Sequence, residues 1–163
     1  MAIGILFVCT GNICRSPTAA GVFRGMAAKA GMEQEFVVDS AGTFDGHVGQ
    51  PASFLAIETA RLRGYDITGH RAKLLTIELL KRFDLPVAMD RTHLAALRWM
   101  APRDRQDLPT LLMQFAPQLG VDEVADPFGG SSTDYDQAMD LIEAGCQALL
   151  DGFRSEFKAA RSG

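Results

Sequence analysis

Two cysteines and an arginine lie within seven residues near the start of the chain, in the stretch VCTGNICRSP. The five residues between Cys9 and Arg15 include Gly11 and Asn12, the residue types that most readily adopt left-handed backbone conformations. A loop of this composition can curl so that its backbone N–H groups, from Thr10 to Arg15, point inward. Together with the N-terminus of a following helix, such a loop would form a nest for a tetrahedral phosphate dianion.

The side chains of this loop suggest nucleophilic attack on a bound phosphoryl group. Arg15 can grip two phosphate oxygens with its planar guanidinium, and the positive field favours the thiolate form of Cys9. The hydroxyl of Ser16 can donate to the Cys9 sulfur and help it leave a thiophosphate intermediate. The alternative interpretation is that Cys9 is a small buried apolar residue and Arg15 a surface residue. The predicted phosphate-binding residues are Thr10, Gly11, Asn12, Ile13, Cys14 and Arg15.

The elements around the loop predict an α/β fold. The apolar run Ala2–Val8 is a short buried strand, and the helix after the loop has Ser16 as its N-cap and ends at Gly31. Strands alternate with helices, which favours a parallel sheet covered on both faces, with ligands at the carboxyl ends of its strands. The further predicted elements are a strand that ends near Asp39, a helix over Ala52–Leu62, strands over Phe83–Asp90 and Pro109–Phe115, and a helix from Thr133.

The composition is typical of one globular domain. The chain has 163 residues, of which 47% are hydrophobic, and a formal net charge of −4, so we expect one domain over residues 1–163. No Lys/Arg-rich run, membrane-length apolar stretch or signal peptide is recognisable, which argues against nucleic-acid binding and a membrane span. Three cysteines fit the reducing cytoplasm better than a disulfide framework. We expect a monomer or a weak dimer.

With these residues, the chain resembles the low-molecular-weight protein tyrosine phosphatases. VCTGNICRSP is nearly the signature of that family, at its usual place near the N-terminus. The resemblance covers nearly the whole chain and implies a three-layer sandwich with a central four-stranded parallel sheet, the phosphotyrosine protein phosphatase I-like fold. The other stretches that follow in family order are DSAGT (39–43), HVGQPA (47–52), GYDITGHRA (64–72), FDLPVAMD (83–90) and ADPF (125–128).

The resemblance implies a role for each reacting group. Cys9 would be the nucleophile, Arg15 would bind phosphate and stabilise the transition state, and Ser16 would assist the thiolate. Asp126 would protonate the leaving phenolate and then activate water against the cysteinyl phosphate, as cleavage of an aryl phosphate requires. Without the resemblance, Asp126 reads as an ordinary turn aspartate before a proline.

Residues around the reacting groups are also implicated by the resemblance. Asn12 would hold the loop through hydrogen bonds, with Ser40 and His70 as its neighbours; the alternative for His70 is a solvated side chain. Cys14 would form a reversible disulfide with Cys9 on oxidation and protect it from over-oxidation. The alternative for Cys14 is that it contributes only its backbone N–H.

Two segments of the predicted substrate cleft depart from the family pattern. Gly46 replaces a common aromatic residue, so Phe44 becomes the candidate for that wall of the cleft. In the DPF segment, Phe128 keeps one ring of the usual tyrosine pair, and Gly129 replaces the other.

The predicted activity is hydrolysis of protein phosphotyrosine, without a cofactor or a metal. Ile13 stands where arginine phosphatases of this family tend to have Thr, and its apolar side chain better suits a phenyl ring. Thioredoxin-coupled arsenate reductases need further mid-chain cysteines, and none lies between Cys14 and Cys146. Two alternatives stay open: a phosphatase of phosphoarginine or small phosphate esters, and a catalytically weak phosphotyrosine-binding module. The expected partners are a phosphotyrosine-containing protein and a cognate tyrosine kinase.

Overall fold

A four-stranded parallel sheet forms the centre of the computed structural model, which describes residues 1–162. The strands lie in the order β2-β1-β3-β4. This confirms the predicted α/β class and parallel sheet. Residue 163, the last residue of the predicted domain, lies outside the described part. The strands are β1 (Ile3–Cys9), β2 (Phe36–Gly42), β3 (Leu85–Ala88) and β4 (Thr110–Leu111).

Helices cover both faces of the sheet. Alternate side chains of β1 point to opposite faces, so Ile5 and Phe7 join one buried apolar cluster while Leu6 and Val8 join the other. A strand that is buried on both faces is apolar throughout, which is why β1 was recognisable from the sequence. The first cluster is covered by α1 (Arg15–Lys29), α2 (Phe54–Leu62) and α5 (Ser132–Ser162), and the second by α3 (Ile77–Lys81) and α4 (Arg91–Met100).

The predicted strand over Pro109–Phe115 is mostly wrong. Only Thr110 and Leu111 pair with β3, and residues 112–115 form a 3-10 helix. The side chain of Gln114 accepts a hydrogen bond from the Leu111 N–H at 2.9 Å, which turns the chain out of the sheet. Leu112 is fully buried, so the run is apolar because it packs in the core and not because it continues a strand.

The start of α1 also differs from the prediction. Cys14, not Ser16, occupies the N-cap position, and no side chain caps the helix there. Ser16 lies in the first helical turn, where its hydroxyl is turned toward Cys9. The N-terminus of α1 therefore faces the loop directly, and the predicted capping group is free for another contact.

Candidate active site

The loop between β1 and α1 forms the floor of a cavity of about 190 Å³. Cys9 ends β1 and lies on the sheet face covered by α1. The loop passes so close to the end of β2 that a Cβ at Gly42 would lie 2.6 Å from the carbonyl oxygen of Thr10. The rim of the cavity is formed by Phe44, His47, Asp126 and Phe128.

Asn12 fixes the shape of the loop. It is fully buried and has a φ of 58°, in the left-handed region that asparagine tolerates better than most residues. Its side-chain oxygen accepts from the Lys73 N–H at 2.9 Å, so its amide nitrogen donates to Ser16 (2.8 Å) and Ser40 (2.9 Å). His70 Nε2 donates to the Asn12 carbonyl at 2.6 Å. The structure thus brings together the three residues that the resemblance grouped.

The orientation of Asn12 also sets the direction of the contact between Ser16 and Cys9. Because Ser16 Oγ accepts from the Asn12 amide, the hydrogen of its own hydroxyl remains available. Cys9 Sγ lies 2.9 Å from that oxygen, whereas the Ala41 carbonyl lies at 3.5 Å. Ser16 therefore donates to Cys9 Sγ, which places an O–H donor at the sulfur.

Arg15 is buried, with only 3% of it exposed, so the alternative interpretation of Arg15 as a surface residue is wrong. Its Nη1 donates to Asp90 Oδ2 at 2.9 Å and to the Val124 carbonyl at 2.8 Å. Its Nε is buried without a protein partner, and its Nη2 has only long contacts, to Thr10 at 3.5 Å and Asp126 at 3.7 Å. The Nε–Nη2 edge is therefore free for two oxygens of a phosphate.

Asp90 is the counter-ion of Arg15 and lies just beyond Ala88, the last residue of β3. Burial disfavours its carboxylate, but the charges and hydrogen bonds of His93 and Arg15 outweigh burial and hold the pKa of Asp90 below its usual range. Sequence reasoning gave Asp90 no role, although it stands at the carboxyl end of a parallel strand, where functional groups gather.

Asp126 is half exposed at the mouth of the cavity. Its Oδ1 accepts from the Phe128 N–H at 3.1 Å, which closes a turn and leaves Oδ2 directed to Arg15. Asp126 thus meets Cys9 and Arg15 at one cavity, although it lies on a different loop from theirs.

Aromatic side chains form the rim, but Gly46 does not line the cavity as predicted. The Phe44 ring occupies the space beside Gly46, and a Cβ at that position would overlap the ring. His47, which carried no signal in the sequence, stands between the two rings: its centroid lies 6.0 Å from that of Phe44 and 5.8 Å from that of Phe128. Gly46 therefore makes room for Phe44 as a cleft wall.

Cys14 lies in a small polar cluster that the sequence did not indicate. Its sulfur is 3.3 Å from the Tyr135 hydroxyl and 3.4 Å from Ser53 Oγ. Burial raises the pKa of the Cys14 thiol, and it also raises the pKa of Tyr135 to about 12. Cys146 is fully buried in the core, where its sulfur contacts the Ala19 carbonyl at 3.6 Å.

Within residues 1–162, no three His, Cys, Asp or Glu side chains are grouped so that they could hold a metal ion. None of the helices in this part of the chain combines the length and hydropathy of a membrane span.

Comparison with known proteins agrees with the geometry of the site. Residues 4–160 match the family model described as low molecular weight phosphotyrosine protein phosphatase. The chain is 34% identical over 154 residues to the low molecular weight protein-tyrosine-phosphatase YfkJ of Bacillus subtilis, covering 94% of this chain and 97% of that protein. It is 36% identical over 159 residues to a low molecular weight protein-tyrosine-phosphatase of Streptomyces coelicolor, covering 96% of each.

Solved structures show the same likeness. A crystal structure of a protein tyrosine phosphatase from Entamoeba histolytica, with Hepes in its active site, superposes with a TM-score of 0.91 at 28% identity, over 95% of this chain and 99% of that one. The structure of YfkJ gives 0.90 at 34% identity, over 96% and 97%. The chain therefore belongs to the low molecular weight phosphotyrosine protein phosphatase family.

Proposed function

We propose that the protein hydrolyses phosphotyrosine in proteins through a cysteinyl-phosphate intermediate. The observation that carries this proposal is the convergence of Cys9, Arg15 and Asp126 on one cavity. A nucleophile, a phosphate-binding cation and a carboxyl acid are the three groups that thiolate-based cleavage of an aryl phosphate requires. The names of the relatives support the substrate class.

In the first step, the Cys9 thiolate attacks phosphorus and the bond to the phenolic oxygen breaks. The free Nε–Nη2 edge of Arg15 holds two phosphate oxygens, and the backbone N–H groups of the loop, which the sequence predicts to point inward, are expected to hold the others. Asp126 gives its proton to the departing oxygen, because a neutral phenol is a better leaving group than a phenolate.

In the second step, the same carboxylate takes a proton from water as the water attacks the cysteinyl phosphate. The sulfur–phosphorus bond breaks and inorganic phosphate forms. The Ser16 hydroxyl, 2.9 Å from the sulfur, stabilises the thiolate as it leaves. Asp126 is protonated again, and the cycle is complete.

The rim supports an aromatic substrate. Phe44 and Phe128 are each more than half exposed beside the cavity, where a phenyl ring above the bound phosphate would contact them. Ile13, which also lines the cavity, adds apolar surface at its floor.

The proposal is tested by hydrolysis of p-nitrophenyl phosphate and a phosphotyrosine peptide, with a chelator present. Cys9→Ser is expected to abolish turnover while phosphate still raises the Tm of the variant. Cys146→Ser is the matched control, because it makes the same change at a buried cysteine away from the cavity, and it is expected to remain active.

Three results would contradict the proposal. Retained turnover in Cys9→Ser would exclude Cys9 as the nucleophile. Preference for phosphoarginine or small phosphate esters over the phosphotyrosine peptide would change the substrate class. Binding of the peptide by a wild type without turnover would favour a phosphotyrosine-binding module.

We further propose that Cys14 protects Cys9 against oxidation. A peroxide converts the Cys9 thiolate to a sulfenic acid and is itself reduced to an alcohol or water; the Cys14 thiol then displaces water and forms the disulfide. The support is that both thiols are free and line one cavity. After peroxide treatment, dithiothreitol is expected to restore the wild type but not Cys14→Ser; equal recovery would contradict the proposal.

We also propose a cytoplasmic location, a cognate tyrosine kinase as a partner, and a monomer or weak dimer. Three free cysteines are consistent with a reducing compartment. Cell fractionation tests the location, sedimentation measures the oligomeric state, and co-purification with tyrosine kinases tests the partner.

A further inference from the structure

We propose that His93 is a positioning residue for the phosphatase reaction and acts through Thr10 and Asp90 to orient the guanidinium of Arg15. This inference rests on the proposed function. It concerns a histidine that the sequence did not distinguish and that does not line the cavity.

His93 lies in the first turn of α4 and is only 1% exposed. Its Nε2 is 2.8 Å from Thr10 Oγ1, across 83 residues of chain. Its Nδ1 lies 3.2 Å from Asp90 Oδ1 but is too poorly aligned to count as a hydrogen bond. The buried ring therefore joins the residue after the nucleophile to the counter-ion of the phosphate-binding arginine.

The carboxylate decides which ring nitrogen carries the proton. A negative oxygen 3.2 Å from Nδ1 favours the tautomer with hydrogen on Nδ1, because two acceptors facing each other would repel. His93 Nε2 is then an acceptor, and the Thr10 hydroxyl donates to it. The lone pairs of Thr10 Oγ1 are left facing Arg15 Nη2 at 3.5 Å.

These contacts close a ring of four side chains, which are those of Thr10, His93, Asp90 and Arg15 itself. Arg15 Nη1 is held by Asp90 at 2.9 Å, and Nη2 faces the Thr10 oxygen at 3.5 Å, so the ring holds the Nη1 end and leaves the Nε–Nη2 edge open. The short contact at Nη1 and the oriented Thr10 oxygen near Nη2 together set the plane of the guanidinium and hence the direction of its free edge toward the phosphate. Without His93, the Thr10 hydroxyl has no fixed direction, and the Asp90 carboxylate loses the ring that packs beside it.

The test compares two substitutions of Thr10. Because Thr10 is exposed, its substitution is expected to change the stability of the fold little. Thr10→Val keeps the shape and removes the hydroxyl, whereas Thr10→Ser keeps the hydroxyl. Thr10→Val is expected to lower kcat/KM for p-nitrophenyl phosphate about tenfold, in line with the cost of a small misplacement of a catalytic group, and Thr10→Ser should lose severalfold less than Thr10→Val because it keeps the donor to His93.

His93→Phe is expected to match Thr10→Val, and the double variant to be no worse than His93→Phe alone, because the two side chains act as one unit. Binding of vanadate, which resembles the transition state, should weaken by the same factor as kcat/KM, while binding of phosphate changes less. A residue that only supports the fold would lower the Tm without this difference. Should His93→Phe not fold, the comparison of Thr10→Val with Thr10→Ser still decides.

Nitrogen-15 NMR of the imidazole gives a measurement that does not depend on turnover. The wild type is expected to show a neutral ring with hydrogen on Nδ1, and Thr10→Val should shift the Nε2 resonance. Hydrogen on Nε2 would overturn the inference. Turnover within twofold of an active wild type in both Thr10→Val and His93→Phe would also overturn it and would leave the proposed function intact, whereas an inactive wild type would overturn the proposed function itself.

Discussion

Replacement of Asn12 by alanine tests the account of the loop most directly. The side chain makes three hydrogen bonds in a fully buried position, to Ser16, Ser40 and the Lys73 N–H. At about 1 kcal/mol of net stability for each bond, their loss costs about 3 kcal/mol. Alanine at a φ of 58° adds about 1 kcal/mol of backbone strain, for a total of about 4 kcal/mol. That is a large part of the about 5–15 kcal/mol that stabilises a typical domain.

Asn12→Gly separates the two contributions, since glycine adopts the left-handed backbone freely. It loses the same three hydrogen bonds but avoids the strain, so it should be more stable than Asn12→Ala. Guanidinium chloride denaturation of the wild type and both variants measures the free energies of unfolding. Both variants should also lose activity, because the Ser16 hydroxyl no longer has a fixed direction toward Cys9.

Two results would refute this reasoning. A loss of stability below about 1 kcal/mol in Asn12→Ala would mean that water replaces the buried hydrogen bonds. A glycine variant less stable than the alanine variant would mean that the left-handed backbone of residue 12 costs nothing.

Three further predictions concern the acid, the buried histidine and the cleft wall. Asp126→Asn should lose much more activity with phenyl phosphate than with the activated ester p-nitrophenyl phosphate; equal losses would argue against a general acid. Burial lowers the pKa of His93 from 6.5 to about 4. Between these two values the unfolded chain binds a proton that the folded chain does not. The free energy of unfolding should therefore fall as the pH drops from 6.5 to 4, by up to about 3 kcal/mol. Denaturation at several pH values in this range should show that the free energy of unfolding depends less on pH in His93→Phe than in the wild type. An equal dependence in both would contradict the lowered pKa of His93. Gly46→Ala should displace the Phe44 ring and raise KM severalfold for phosphotyrosine peptides but not for small alkyl phosphates; equal changes would exclude Phe44 as the wall.

The parts of the site that sequence reasoning located are those encoded within one short segment. Cys9, Asn12 and Arg15 belong to one loop between a buried strand and a helix, and the chemistry of each follows from its type and spacing. Asp126 required the family resemblance, because an aspartate before a proline is also an ordinary turn residue.

The contacts that orient these groups depend on residues far apart in the chain. Asp90 is 75 residues from Arg15, and Tyr135 is 121 residues from Cys14. A partner at such a distance leaves no local periodicity, since it becomes a neighbour only when β3 or α5 packs beside the loop. The buried position of Arg15 has the same origin, because a charge tolerates burial only where the fold supplies its counter-ion.

The sequence by itself determined the alternation of strands and helices, the phosphate loop and its nucleophile, because these follow from residue types within a few positions of one another. Only the tertiary structure decided that the run 112–115 leaves the sheet, that Ser16 turns to the sulfur, and that His93 and Asp90 stand behind Arg15. Each of these depends on which side chains meet across the fold. A buried polar group takes the partner that packing brings to it, and the linear sequence does not record that partner.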